Sequence, residues 1–402
     1  MPEPDDATPT VIAGAAVLTA DGRIQPGCLV LEGGTIAEVT TRSVRRRGAN
    51  VIDAQGRLVV PGLVDLHLHG AGGASLESVV EPEQDPARES AVPRVLRHLA
   101  RAGVTATHAS LASDAVETMA RRSRALAHWR EHQPSDGAEL LGAHLEGPFL
   151  SPAQAGAHDP TLLVAPAPDD VARLVETRPA MITLAPELPG ALAAIRAFAA
   201  AGTVVAIGHS EAGPGEVAAA VEAGASHLTH LWSGQSSTTR SGPWRVPGLL
   251  EASLSSSGLS AEVIADGKHL PGELLEIARR CLGENLVVVS DATEGAGMPD
   301  GFGYALASVR CEVRDGVGMV VGQPAFGGST TTLDGMLAHL CLDLGWPVPE
   351  VIEMLSARPA AVAGVGDRKG RLAAGYDADL LVLDDQLRPW RTWVRGTPAL
   401  RP

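Results

Sequence analysis

From Val64 onward, short apolar runs alternate with Ala-rich stretches of helical spacing. The runs are LVDLHLH, GVTATHAS, ELLGAHLEG, MITLAPE, TVVAIGHS, ASHLTHLWS, SAEVIADGKH and NLVVVSDAT. Apolar runs of this length, rich in β-branched residues, read as buried strands. Intervening segments such as SDAVETMARRSRALAHWREH and GPGEVAAAVEAGA place apolar residues at helical intervals. About eight strand–helix units in succession predict an α/β chain folded as a (β/α)8 TIM-like barrel.

The flanks carry a different pattern. TVIAGAAVLT and CLVLEGGTIAEVT alternate as short strands, with Gly33–Gly34 as a hairpin turn, and VIDAQGRLVVPG continues them. The C-terminal GRLAAGYDADLLVLDDQLRPWRTWVRGTP returns to the same alternation. The two ends are expected to pair into one small β-sandwich domain. The expected organisation is a disordered leader over 1–9, the sandwich from 10–60 and 366–402, and the barrel over 61–365. ASVRCEVRDGVGMVVGQ, after the eighth strand, reads as a β-hairpin insertion followed by two helical stretches.

Composition narrows the function classes. Aromatics are only 3% of 402 residues, so the core must come mainly from Ala, Val and Leu. A net charge of −15 argues against nucleic acid or an anionic membrane as a partner. Arg45–Arg46–Arg47 reads as a solvated loop. Cys28, Cys281, Cys311 and Cys341 are scattered with no CxxC pair, as in a reducing compartment. The acidic, Pro-rich start is unlike a signal peptide, and Arg196 and Gly202 interrupt the most apolar stretch. A cytoplasmic location is expected.

The candidate chemistry lies at strand ends. His67 and His69 are two apart on an extended run, so both imidazoles project to one face. That pair alone fits either a metal site or two histidines satisfied by neighbouring carbonyls. Glu146 ends the third strand, His209 the fifth, His230 the sixth and Asp291 the eighth. Each alone reads equally as a packed neighbour or a helix cap. Together, at the end of the barrel where active sites form, they point to a divalent metal. Imidazole and carboxylate suit zinc or iron, and the lack of a nearby thiolate argues against a closed structural site. Asp291 is then free to move protons, which describes hydrolysis of an amide or a related C–N bond.

At these residues the sequence resembles the amidohydrolase superfamily, and within it the N-acetylglucosamine-6-phosphate deacetylases. The stretches that carry the resemblance are PGLVDLHLHG, GAHLEGPFLSPAQAGAHDP, TLAPE, AIGHS, HLTHLW, IADGKH, VVVSDAT and GRLAAGYDADLLVLD, in the family's order. The resemblance implies a main metal site of Glu146, His209 and His230. It also implies a second site of His67 and His69 bridged by Glu146, so one or two divalent ions, with zinc first and iron or another ion as alternatives. It assigns Asp291 as the catalytic acid/base, His158 and His269 as sugar contacts, and His158 as a helper in polarising the carbonyl. Arg245 matches a phosphate-binding arginine that reaches across a homodimer.

Departures from the family pattern fall on the substrate side. HLWSGQ keeps an aromatic at Trp232 but replaces the usual Asn-Ala with Ser233 and Gly234. Arg240 stands beside Arg245 as a further phosphate partner, Glu294 and Asp300 are expected to add negative charge at the mouth, and His108 is foreign to the pattern. The expected activity is deacetylation of an N-acetylated amino sugar phosphate, a small-molecule substrate. The alternatives are a paralogue acting on another N-acetyl amino sugar, phosphorylated or not, or on another amide, and a non-catalytic barrel scaffold. Relatives that cleave cyclic amides or β-linked dipeptides commonly bridge their metals with a carboxylated lysine, where this chain has Glu146.

Overall fold

The computed structural model describes residues 8–79 and 91–399. Most of the expected leader, 1–7, lies outside them. Eight parallel strands run in chain order: β1 (Leu63–Asp65), β2 (Val104–Leu111), β3 (Glu139–Glu146), β4 (Met181–Leu184), β5 (Val204–Ile207), β6 (His227–Leu228), β7 (Ser260–Ile264) and β8 (Leu286–Val289). Each pairs with its neighbours, and a parallel bridge between Leu68 and Ala292, just beyond β1 and β8, closes the ring. All eight expected strands are present. They read as near-continuous apolar runs because barrel packing covers both faces of each.

The connections follow local rules. The helix Val116–Glu131 links β2 to β3 and turns Met119, Ala120 and Leu126 inward. The helix Pro214–Ala223 begins with Pro at its first position, and Gly213 N–H donates to Glu216 Oε2 at 3.0 Å. It ends at Gly224, whose φ of 117° suits only glycine. Leu, Val, Ile and Ala dominate the main core, and the few buried aromatics include Phe149 and Phe198.

The two chain ends build one continuous mixed sheet around an apolar cluster of their own, which includes Ile12, Leu29, Ile36, Val59, Leu380 and Trp393. In it, Leu58–Pro61 pairs antiparallel with Leu380–Leu383, and the chain then passes directly into β1. The sheet is pinned to the foot of β3 by charge. Lys369, buried to 1% exposure, reaches Glu139 at 2.7 Å and Asp377 at 2.9 Å, and it also contacts Asp379. Arg368 adds a two-pronged contact to Glu139. The expected insertion after β8 is a three-stranded antiparallel flap, Gly303–Leu306, Val309–Arg314 and Val317–Val320. Among the described residues, no helix is long and apolar enough to cross a membrane.

Candidate metal centre and active site

The His67–His69 segment is clamped where the barrel closes. Leu68 N–H donates to Ser110 Oγ at 3.0 Å, and His69 N–H donates to the Ala292 carbonyl at 2.7 Å. Leu68 is buried on the far side, so both imidazoles turn inward and their Nε2 atoms lie 3.3 Å apart. Three other site residues, His209, Trp232 and Asp291, have positive φ values of 48°, 69° and 47°. Left-handed backbone costs a non-glycine residue about 1–3 kcal/mol and persists where the surroundings enforce it. Here it falls beyond the ends of β5, β6 and β8, and all three side chains line one cavity.

Glu146 is the hub. Its Oε1 lies 3.0 Å from His209 Nε2 and 3.0 Å from His230 Nε2. Its Oε2 lies 3.3 Å from His69 Nε2 and 3.5 Å from both His67 Nε2 and His158 Nε2. Asp291 Oδ1 faces the same place, 3.6 Å from His67 Nε2 and 3.5 Å from His69 Nε2. Every one of these expected residues therefore converges on one spot. Potential ligand atoms group as His67–Glu146–His230, His67–His69–Asp291 and Glu146–His158–His209, each set within 4.8 Å.

The outer ring nitrogens assign the tautomers. His67 Nδ1 faces the Glu262 carboxylate at 3.1 Å, His209 Nδ1 the Gln154 carbonyl at 2.8 Å, and His69 Nδ1 the Glu77 carboxylate at 3.4 Å. All three partners only accept, so each ring donates from Nδ1 and aims an Nε2 lone pair inward. Such lone pairs, converging on a carboxylate, repel one another unless positive charge lies between them. Nitrogen and oxygen donors in this arrangement fit a divalent cation. His158 is reversed: its Nδ1 accepts from Ser113 N–H at 3.1 Å, so a neutral ring carries its proton on Nε2 and is a donor there. His230 Nδ1 is buried with no hydrogen-bond partner among the described residues.

The titration pattern shows the same demand for positive charge, met at His67 and His69 by added protons. Burial alone would push the Glu146 carboxyl up, but His67, His158 and His209 hold it well below its usual range. Burial pulls His69 down, yet its bonds to Glu146 and Glu77 raise it to about 9, and Glu146 likewise lifts His67. His209 goes the other way, lowered to about 4 by burial. The cluster draws in positive charge.

Above it opens a cavity of about 460 Å³. Trp232, Ser233, Gly234 and His269 line it beside the ligand cluster, and Leu306, Pro324 and Phe326 form an apolar side. Gly234 has φ of 57°, and a Cβ there would press on His209 Nδ1, so a residue as small as alanine would already crowd that ring. His269, expected as a sugar contact, lines the cavity while its Nδ1 pairs with Asp266 at 2.8 Å. The expected acidic mouth is not formed. Neither Glu294 nor Asp300 lines the cavity, and Asp300 instead accepts from Gly316 N–H in the flap. Arg240 and Arg245 face each other across an exposed hairpin, Thr239–Ser241 with Trp244–Val246, and do not line this cavity either.

The sequence patterns do not single out the partners behind the candidate ligands: Glu77, Glu262 and His227. Glu262 carried a usable signal, since a glutamate inside an otherwise apolar barrel strand demands a buried partner.

Comparison with known proteins agrees with this geometry. The model of the amidohydrolase family matches residues 58–400. The N-acetylglucosamine-6-phosphate deacetylase of Vibrio furnissii is 32% identical over 369 residues, 91% of this chain and 88% of that protein. The N-acetylgalactosamine-6-phosphate deacetylase of Escherichia coli O157:H7 is 29% identical over 97% of this chain and 99% of its own length. A solved N-acetyl-D-glucosamine-6-phosphate deacetylase from Mycobacterium smegmatis, a single-residue mutant in complex with N-acetyl-D-glucosamine-6-phosphate, superposes with a TM-score of 0.87 at 30% identity, covering 98% of this chain and 100% of that one. The chain belongs to the amidohydrolase family, within its N-acetylglucosamine-6-phosphate deacetylase branch.

Proposed function

We propose that this chain hydrolyses the acetamide of an N-acetylated amino sugar phosphate, converting N-acetylglucosamine 6-phosphate and water to glucosamine 6-phosphate and acetate. Glu146, His209 and His230 would hold one divalent ion, and His67 and His69, with Glu146 shared, a second. Zinc fits this nitrogen–oxygen set best. Such an ion acidifies water and polarises a carbonyl. Asp291 takes the proton of the attacking water and returns one to the sugar amine as the C–N bond breaks. His158 donates its Nε2–H to the carbonyl oxygen, where negative charge develops. Trp232 and His269 position the sugar, and Ser233 and the Gly234 backbone meet its polar end.

One observation carries this reading. A carboxylate and a donor-tautomer imidazole, Asp291 and His158, face the same Glu146-centred cluster at the floor of an open cavity. Arg245, with Arg240, is assigned to the phosphate of a second copy's substrate, which makes the working unit a homodimer. A cytoplasmic location goes with free cysteines and a phosphorylated substrate. A second reading, an unphosphorylated N-acetyl sugar, is favoured by the absence of any Lys or Arg from the cavity lining of the described chain.

Acetate release from N-acetylglucosamine, N-acetylgalactosamine and N-acetylmannosamine, each with and without the 6-phosphate, tests both. The highest kcat/KM on the phosphorylated glucosamine derivative is expected. Faster turnover of an unphosphorylated sugar would shift the assignment to the second reading. No acetate from any of the six, with no divalent metal bound, would leave a scaffold.

A further inference from the structure

Behind the ligand pair, inside the barrel, lies a carboxylate that no step above uses. Glu262 in β7 is fully buried. Its Oε2 accepts from His67 Nδ1–H at 3.1 Å and from the His230 backbone N–H at 3.2 Å. Its Oε1 accepts from His227 Nε2–H at 3.0 Å, and His227 is braced from behind by Ser260 Oγ, 2.6 Å from its Nδ1. One side chain thus touches two residues of the cluster, one through its ring and one through its backbone, on strands far apart in sequence.

Glu77 makes the instructive contrast. It faces His69 at 3.4 Å, but it also accepts from Ala112 N–H at 2.6 Å and from Arg122 at 3.2 Å. Its charge is shared with a guanidinium near the surface. Among the described residues, no Lys or Arg pairs with Glu262; its charged contacts are His67 and His227 alone. A valine or isoleucine would fill a barrel strand without the desolvation cost of a buried carboxylate. The glutamate is explained by what it does to the two residues it holds.

We propose that Glu262 is the positioning residue of the metal centre, anchored by His227, fixing His67 with its proton on Nδ1 and setting the height of His230. The proposal rests on the metal reading given above. With the opposite tautomer, His67 would turn an N–H toward the cluster and be lost as a ligand. A carboxylate accepting from the outer nitrogen also makes the inner one a better donor, and removing such a partner typically weakens metal affinity about 10- to 100-fold.

The test is zinc titration of metal-free wild type and of Glu262→Gln by calorimetry, with bound zinc counted by elemental analysis. Gln keeps the shape and removes the charge. The variant is expected to keep the wild-type melting point without metal, to bind zinc at least about 10-fold more weakly, and to recover turnover in excess zinc. Equal zinc affinity in the two proteins would overturn the proposal while leaving the metal reading standing. A wild type that binds no zinc would remove the metal reading, and this proposal with it. A second measurement does not depend on the variant folding. In zinc-loaded wild type carrying [15N]histidine, long-range proton–nitrogen spectra are expected to place the His67 proton on Nδ1, and a proton on Nε2 would overturn the assignment.

Discussion

Strand β3 begins and ends with a buried glutamate, and the two live in opposite electrostatic worlds. Glu139, at the foot, meets cations built into the fold: Lys369 at 2.7 Å and the two-pronged Arg368. Burial would raise its carboxyl, but these neighbours hold it down at about 2. Glu146, at the rim, meets five imidazoles and, among the described residues, no Lys or Arg. His67, His69 and His209 turn their inner ring nitrogens toward it and His158 an N–H, so no permanently charged side chain of this group pairs with it. A structural carboxylate carries its counter-ions with it, whereas a functional one is surrounded by groups that accept charge from outside. The foot joins the terminal sheet to the barrel, and the rim is where the proposed chemistry lies.

The largest expected effect comes from exchanging the rim carboxylate. Glu146→Gln should lower turnover by about 10³-fold or more, with loss of bound metal. The melting point of the metal-free protein should stay near that of metal-free wild type. Elemental analysis beside thermal melts checks both, and a collapse in stability would erase the contrast between the two ends. Asp291→Asn should keep the metal and lose about 10²- to 10⁴-fold in kcat. Near-normal turnover would remove Asp291 from its role.

At the foot the signature inverts. Lys369→Met leaves Glu139, Asp377 and Asp379 without their shared ammonium and should cost about 3–5 kcal/mol in denaturant unfolding. Turnover per folded molecule should stay within about twofold, so a larger loss would couple the two ends. The gentlest test is pH. A carboxyl lowered from its ordinary 4.5 to about 2 contributes stability above pH 4.5 that is lost as pH falls toward 2. The shift corresponds to roughly 3 kcal/mol. Glu139→Gln should therefore be less stable than wild type at neutral pH and should lose less between pH 4.5 and 2. Parallel curves for the two proteins would mean that Arg368 and Lys369 do not govern this carboxyl.

Much of this was legible in one dimension. His67 and His69 announced themselves because two residues on a strand share a face, and Glu146, His209, His230 and Asp291 because each follows an apolar run. The misreadings have the opposite character. Glu294 and Asp300 sit near Asp291 in sequence, and nearness along the chain suggested an acidic mouth. A flap turn takes Asp300 elsewhere, and backbone bonds tie the Glu294 region to the loop after His69. Glu262 touches His67 across 195 residues, a pairing no local pattern encodes.

What the chain by itself determined is the repeat of strand and helix and the residues standing where each strand stops, because both depend on neighbours a few positions away. Which ring nitrogen carries a proton, which glutamate meets a lysine and which meets histidines, and which loop lines the cavity were decided only by the closed barrel. Tautomers and charges answer to whatever lies within a few ångströms, and in a ring of eight strands those neighbours come from anywhere in the sequence.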